Sequence, residues 1–395
     1  MTMPLKVIFT DDSKVFSGAE SSLAQFLEAV DTSLIAPRIC FRYPMEHQNR
    51  FGPLLRNAVY RSKEQRWWMG SDRWKLPVRG SDFCARIINA YRLVRIARRG
   101  GTGVIHFNLT WPSTQTDLVF AKFAGIVTVA HIRGLSDVYR LPARVMRLCD
   151  VLICVSDAVK ERAVSWYPHP NIHRVYNPID ASRYIPKGTR EEALRALGLS
   201  ESRRVIASVG LLSPQKGHDV AIRAFARIAD KFKDVDLLVA GGSADGSKGG
   251  VEAIRLESEV ALLGLQERVI ITDKQIEDVT SVYAASQLIL SLTTCGEAFG
   301  RVPVEAGSAG RATIVTDLGA SQELITQGVT GFLVSPSNLD QIARLMDRLL
   351  SSSEECDRIG AAAREHVINN FSATANATGI MEVYRRSGLL DRHIH

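Results

Sequence analysis

Short, almost uninterrupted apolar runs alternate with amphipathic stretches along most of the chain. LKVIFT (5–10), VIHF (104–107), IVTVAHI (126–132) and VLICVS (151–156) lack the in–out alternation of a half-exposed sheet. Such runs suit strands buried on both faces, as in a parallel sheet covered by helices. Gly18 to Val30 reads as the helix after the first strand. The pattern breaks after Tyr184, where IPKGTREEALRALGLSESRR combines Pro186, Gly188, a short helix and a polar turn. It restarts at VIASVG (205–210) and runs through a helix from 217, DLLVAGG (236–242), a helix near 251–263, RVIIT (268–272), QLILSL (287–292), ATIVT (312–316) and GFLV (331–334). The last 55 or so residues read as helical.

Strands alternating with helices predict an α/β fold with parallel sheets. A length of 395 residues exceeds one ordinary doubly wound domain and fits two. The expected division is a first domain over 1–184, a linker over 185–203 and a second domain over 204–371. The last helix, about 372–395, is expected to complete the first domain. The stretch 42–82 fits no clean period and reads as an irregular insertion on the first domain.

Composition narrows the class. With 46% hydrophobic and 23% charged residues, the chain is globular rather than disordered. No apolar run is long enough to span a bilayer. MTMPLKVIFTDD is not a secretory signal, because its apolar stretch ends in two aspartates without a small-residue cleavage site. The six cysteines form no CxxC pair, so neither a disulfide framework nor a zinc site is expected. The expected location is cytoplasmic.

Charge is uneven. Residues 1–180 carry 25 basic and 15 acidic side chains, whereas 181–395 carry 24 and 27. The first half is thus the part suited to an anionic partner, such as phosphate-bearing lipid, a membrane surface or nucleic acid, with a solvated basic surface as the plainer alternative. In the insertion, Trp67, Trp68 and Trp74 stand among Arg61, Lys63, Arg66, Arg73 and Lys75, a mixture that fits a headgroup interface or a core under the insertion. No nucleic-acid recognition motif accompanies the basic half, so no nucleic-acid partner is expected.

Several chemistry-bearing patterns are absent or incomplete. There is no GxGxxG fingerprint, and GGSADGSKGG (241–250) has its Lys and Ser in the wrong order for a phosphate loop. Asp234 and Asp236 form a DxD at a strand entry, where solvated acids explain them without a metal. No metal cluster and no resident cofactor are expected.

The richest stretch is CGEAFGRVPVEAGSAGRATIVTDLGASQE (295–323). A buried strand runs into a loop with Glu297, Phe299 and Gly300, and then into a helix with Pro303 in its first turn. A helix N-terminus offers unpaired N–H groups to an anion, and glycine allows close approach. Glu297 and Glu305 can accept hydrogen bonds from vicinal hydroxyls; acidic capping of the helix is the plainer alternative. VGLLSPQKGHDVAIRAF (209–225) is a second strand–loop–helix turn, with Lys216 and Gly217 at a helix start. An ammonium there suits phosphate.

Read together, VGLLSPQKG, EAFGRVPVE, TDLGASQE and GVTG (328–331), preceded by DVLICVSDAVKE (150–161) and VYNPID (175–180), resemble the retaining glycosyltransferases of family 4. The resemblance is strong from about 150 to 335 and weaker before. It implies a GT-B fold, two Rossmann-like doubly wound parallel-sheet domains with a cleft between them, whose closure would exclude water. It implies a nucleotide-sugar donor, a glycan or glycolipid acceptor and polysaccharide or glycolipid biosynthesis, without metal. By motif, Glu297 would hold the sugar hydroxyls and Glu305 the ribose. Lys216 and the backbone at Phe299 and Gly300 would hold the diphosphate. Thr272 and Asp273 would lie near the base. FSGAE (16–20), with Gly18, matches the glycine-rich loop of the first domain, and His131 matches the histidine near the transferred sugar. Arg133 is the candidate for the acceptor. The chain departs from the pattern at Ser17, which stands for a glycine, and at Leu211, which stands for an arginine; Arg301 is the candidate replacement cation. Gln287 stands for an aspartate. The competing readings are a catalytically weak nucleotide-sugar-binding scaffold and another GT-B enzyme, such as a nucleotide-sugar epimerase.

Overall fold

The computed structural model describes residues 3–12, 18–42, 59–60, 79–108, 114–139, 142–242, 250–272, 276 and 278–391. Asp273, Ser17, Trp67, Trp68, Trp74 and the basic residues among these tryptophans lie outside the described residues, as does most of the glycine-rich loop before Gly250. The chain divides into two compact units: 1–178 with 373–395, and 179–372.

The first unit begins with β1 (Leu5–Asp11), α1 (Gly18–Ala29), β2 (Ile35–Phe41), β3 (Val59–Tyr60) and α2 (Arg79–Gly100). It continues with β4 (Val104–Phe107), α3 (Thr114–Phe123), β5 (Val127–Ile132), α4 (Ala143–Met146), β6 (Val151–Cys154), α5 (Asp157–Trp166) and β7 (Ile172–Arg174). Its seven strands lie in the order β3-β2-β1-β4-β5-β6-β7. Every pairing is parallel, with Val7 opposite Ile39's strand through Pro37 and opposite Val104 on the other side. All four residues of β4 and all four of β6 are buried, which is why their sequences carry no alternation.

The second unit holds α6 (Arg190–Ala196), β8 (Arg204–Val209), α7 (His218–Ala226), β9 (Val235–Ala240), α8 (Val251–Leu262), β10 (Val269–Ile271) and α9 (Val279–Ala285). It goes on with β11 (Leu288–Ser291), α10 (Arg301–Ser308), β12 (Ala312–Thr316), α11 (Ser321–Leu324), β13 (Phe332–Val334), α12 (Leu339–Ser351) and α13 (Ser353–Phe371). Its six strands lie in the order β10-β9-β8-β11-β12-β13, again all parallel. On α12, Ile342, Ala343, Met346, Leu349 and Leu350 recur at helical spacing and are buried beside Ile314 and Phe332.

The last helix, α14 (Ala373–Arg386), packs in the first unit. Ile380, Met381 and Tyr384 join the core with Phe9, Phe26 and Val129, and Asn376 Nδ2 donates to the Tyr176 carbonyl at 2.6 Å.

Two boundaries differ from the sequence expectation. Ile179 already belongs to the second unit, and residues 185–203 are not a bare linker. Thr189 and Glu192 form a reciprocal capping box that starts α6 inside that unit. Residues 79–82, placed in the insertion from sequence, open α2, and Val59–Tyr60 pair with β2 through Cys40 and Phe41.

Candidate active site

In each sheet, the strand order reverses between the first strand and a later one: β1 beside β4, and β8 beside β11. At such a switch point the loops from the carboxyl ends diverge and leave room for a ligand. Gly18 follows β1, and Lys216 and Glu297 follow β8 and β11, whereas His131 and Arg133 lie at the end of β5 and Thr272 follows the edge strand β10.

In the second unit, β8 ends at Val209 and its loop tightens into a single turn, Pro214–Lys216, before α7. Gly217 makes the exit with φ 64°, and a Cβ there would stand 1.8 Å from the Leu292 carbonyl oxygen. The Thr294 amide donates to the Gln215 carbonyl at 2.9 Å, which fastens this loop to the one after β11. Between the two loops the Lys216 ammonium pairs with Glu297 Oε1; both side chains are partly exposed. Glu297 itself is fixed through its backbone. It bridges to Gly319, and its carbonyl accepts from the Ala320 amide at 3.0 Å. A Cβ at Gly319 would lie 2.3 Å from that carbonyl, so the loop after β12 approaches only because position 319 is glycine. The TDLGASQE motif thus supports the Glu297 loop from behind.

Gly300 caps α10 with φ 81°. The first-turn amides of a helix lack intrahelical partners, and Pro303 has none to lose. The Phe299 side chain turns inward, 5% exposed, against Phe371 with ring centroids 5.6 Å apart. Glu305 lies on the buried side of α10. Its Oε1 accepts from Arg301 Nε at 3.0 Å and its Oε2 from the Tyr283 hydroxyl at 2.9 Å. Arg301 Nη2 also donates to the Tyr184 hydroxyl at 3.4 Å. Burial first, and then the Glu305 charge, push the Tyr184 phenol up to about 12 and the Tyr283 phenol well above its ordinary value. Both phenols therefore remain protonated. Arg301 bonds back along its own helix to Glu305, and Leu211 is exposed where an arginine was expected.

Other groups in this unit have structural partners. The Thr272 hydroxyl accepts from the Gly241 amide at 3.0 Å and donates to the Gly241 carbonyl at 2.8 Å, tying β10 to the loop after β9. His218 is buried, and its Nε2 faces the Leu211 carbonyl at 3.1 Å. A carbonyl only accepts, so Nε2 carries the proton and Nδ1 accepts from Ser208 Oγ at 2.8 Å. Of the DxD acids, Asp234 is exposed and pairs with Arg204, whereas Asp236 is buried and pairs with Arg203 and Arg268. Gln287 Nε2 contacts the Leu349 carbonyl at 3.4 Å. Among the described residues no group of three or more His, Cys, Asp or Glu is arranged to hold a metal.

In the first unit, Gly18 starts α1 just beyond β1 and accepts from Ser22 Oγ at 2.8 Å. His131 is the penultimate residue of β5, 1% exposed, with its ring 5.6 Å from that of His106. His106 Nδ1 lies 2.8 Å from the Tyr384 hydroxyl of α14. Arg133 is half-buried beside them and bonded to Asn108 and Asn177. Burial lowers the Arg133 guanidinium to about 10, against the pull of Glu20, Asp11 and Asp137. Burial and then Arg133 hold His106 at about 3.

Sequence reading missed Tyr184 and Tyr283, which surround Glu305, and Asn108, Asn177, His106 and Tyr384, which surround Arg133 and His131. VYNPID contains Asn177, but nothing in its spacing indicates Arg133 as the partner.

Two doubly wound parallel-sheet units make this a GT-B fold, the architecture of a large class of glycosyltransferases. Anabaena HepE, solved in complex with UDP, superimposes with a TM-score of 0.77 at 19% identity, covering 97% of this chain and 100% of that one. A glycosyltransferase from Rickettsia africae ESF-5 gives 0.78 at 20% identity, covering 97% and 98%. Residues 34–183 match Glycosyltransferase Family 4, and residues 189–366 match Glycosyl transferases group 1. D-inositol 3-phosphate glycosyltransferase of Mycobacterium sp. strain KMS is 34% identical over 366 residues, covering 87% of this chain and 79% of that protein. Its namesake from Rhodococcus opacus strain B4 is 29% identical, covering 85% and 76%. The chain belongs to the family 4 glycosyltransferases. No helix among the described residues is long and apolar enough to cross a membrane.

Proposed function

We propose that this glycosyltransferase moves a sugar from a nucleoside-diphosphate sugar to a hydroxyl of a glycan or glycolipid, with retention at the anomeric carbon. The observation that carries the reading is the Lys216–Glu297 pair between the loops of β8 and β11, beside the N-terminus of α10. A cation, helix-terminal amides and a carboxylate at one switch point suit a diphosphate joined to a sugar. As the bond from the anomeric carbon to the diphosphate oxygen breaks, negative charge grows on the leaving group. Lys216 and the α10 amides stabilise that charge. Glu297 accepts hydrogen bonds from the sugar hydroxyls. Glu305, oriented by Arg301 and Tyr283, accepts from the ribose. The donor phosphate oxygen takes the proton of the acceptor hydroxyl, so no side-chain nucleophile is needed. That HepE was solved with UDP-glucose supports a nucleotide-sugar donor.

The cations and amides around the diphosphate do the work that a divalent ion does elsewhere, so turnover is metal-independent in this reading. A donor panel scored by thermal stabilisation identifies the nucleotide sugar. Release of nucleoside diphosphate is then followed with and without EDTA. Turnover abolished by EDTA and restored by manganese would overturn metal independence; no stabilisation by any nucleotide sugar would overturn the donor reading.

A membrane contact has its own support on α2. Ile88, Tyr91, Arg92, Arg95, Arg98 and Arg99 are exposed, with no acid between positions 84 and 99. Arg98 donates to the Ala124 carbonyl, which places α2 beside the exposed ring of Phe123. Apolar rings next to arginines suit an anionic lipid surface. Flotation with phosphatidylglycerol vesicles, lost in high salt, is the expected result; no enrichment at low salt would remove the contact.

A further inference from the structure

At the amino ends of β1 and β2, opposite the loops described above, Lys6, Ala36 and Arg38 share one face of the sheet. Lys6 stands beside Ala36 in register, and Arg38 follows two residues on. β3 meets β2 only at Cys40 and Phe41, so this stretch of β2 is a sheet edge. The end of α2 lies against the same face and leaves a cleft of about 200 Å3, lined by Lys6, Ala36, Pro37, Arg38, Gly100 and Thr102. Lys6 Nζ donates to the Gly100 carbonyl at 3.1 Å. A Cβ on Gly101 would stand 3.4 Å from that Nζ, and one on Gly100 would stand 3.6 Å from Arg38 Nη1 and 3.3 Å from the Thr102 hydroxyl. The two cations thus face consecutive glycines. Gly101 has φ 63°, which favours glycine whatever the space around it. Gly100 is not in the left-handed region, so its missing side chain leaves room rather than relieving strain.

Both cationic side chains are exposed, and among the described residues no carboxylate pairs with either. Capping the α2 carbonyl occupies one of the three N–H groups of Lys6. Arg38 donates to no described residue. Arg98 and Arg99, in the last turn of α2, add to the positive field. Like charges gathered without an acid repel, and an anion between them removes that cost. We propose that this cleft binds a phosphate monoester. Its dianion matches two cations, and its terminal oxygens accept from Lys6, Arg38 and the Thr102 hydroxyl. The volume suits one phosphate group with a small substituent and not a whole nucleotide. Lys6 stands five residues before Asp11, the carboxyl end of β1, which is about 17 Å along the strand. Ligands that react on doubly wound sheets sit at the carboxyl ends. The monoester is therefore held here and not consumed. A soluble phosphate ester and a lipid headgroup both present the required chemistry.

The test is calorimetric titration of the full chain with inorganic phosphate and with glycerol 3-phosphate, at fixed chloride. Arg38→Met and Lys6→Met should each weaken binding by about 10-fold or more, the worth of a charge-assisted hydrogen bond. Arg38→Lys should recover part of it. Gly100→Val keeps both charges and fills the cleft, so it should weaken binding by a similar factor. Arg38 makes no bond that folding needs, and Arg38→Met should melt like wild type in phosphate-free buffer. The Lys216 loop offers phosphate a second place under the donor reading above, so the titration is repeated in Lys216→Met, which should keep the Arg38-dependent binding. Phosphate binding that is the same in wild type, Arg38→Met and Gly100→Val overturns the proposal.

Flotation separates the two sources of the monoester. Phosphatidylcholine vesicles carry either phosphatidic acid, a monoester, or phosphatidylglycerol, a diester, at matched surface charge. A lipid source gives a preference for phosphatidic acid that Arg38→Met and Gly100→Val abolish, with binding to phosphatidylglycerol retained. A soluble source gives equal flotation on both vesicles together with Arg38-dependent binding of glycerol 3-phosphate. Either pattern supports the site. The absence of any Arg38-dependent response to phosphate, glycerol 3-phosphate or phosphatidic acid removes it, whatever becomes of the α2 membrane contact. Failure of all flotation with an intact phosphate titration removes that contact and leaves the site.

Discussion

Glu297→Gln separates a sugar-binding carboxylate from a structural one. The substitution keeps the shape of the side chain and removes its charge, leaving Lys216 without its partner. The two side chains retain 29% and 23% of their exposure, so water screens the pair. A screened ion pair contributes about 0.2–1 kcal/mol to stability. For a unit of this size 1 kcal/mol corresponds to about 2–4 °C, so the melting temperature should fall by about 4 °C at most. The loop itself is held by backbone bonds to Gly319 and Ala320, which the substitution leaves alone. Catalysis should suffer far more. A charge-assisted hydrogen bond is worth about 1.5–3 kcal/mol, and one that strengthens in the transition state appears in kcat. That corresponds to roughly a 10- to 150-fold loss. Affinity for free nucleoside diphosphate should change little, because it lacks the sugar. The assay is steady-state release of nucleoside diphosphate, with product inhibition and thermal melts on the same preparations. A folded variant with turnover within about two-fold of wild type would refute the reasoning.

Glu305→Gln presents an amide nitrogen to Arg301 or Tyr283, leaving one donor unmatched at a cost of about 1–3 kcal/mol. A lower melting temperature together with weaker inhibition by free nucleotide is expected; a lower melt with unchanged inhibition would confine Glu305 to the scaffold. His106 links stability to acid. Its folded pKa of about 3 lies below the 6.5 of the unfolded chain, so the unfolded state binds the extra proton in that interval. Stability should fall as pH drops from 6.5 toward 3, by about 1.4 kcal/mol per pH unit from this group. Melting curves of His106→Gln should show a shallower acid slope than wild type, and equal slopes would exclude the linkage.

Much of the sheet architecture was legible in the chain because a parallel strand buried on both faces needs an unbroken apolar run. VIHF, VLIC and LILS meet that condition with every residue buried. β2 escaped because Pro37 and Arg38 interrupt IAPRICF, and β7 because Ile172–Arg174 carries a histidine and an arginine in three residues. Its pairing with β6, not its composition, makes that segment a strand. The candidate site divides in the same way. Motif order placed Lys216 and Glu297 each at a strand end before a helix. Their contact across 81 residues exists because β8 and β11 are neighbours in register, Ile206 opposite Leu288, so that their outgoing loops emerge side by side. No local pattern encodes that adjacency. The same holds for Glu305, whose partners Tyr184 and Tyr283 arrive from a turn and another helix, and for Arg133, whose partners follow β4 and β7. The sequence determined which segments are strands, which loops are rich in glycine and where charge is available. Tertiary structure decided which of those charges meet, because the order of strands in a sheet is settled by packing over the whole unit and not by any one stretch of chain.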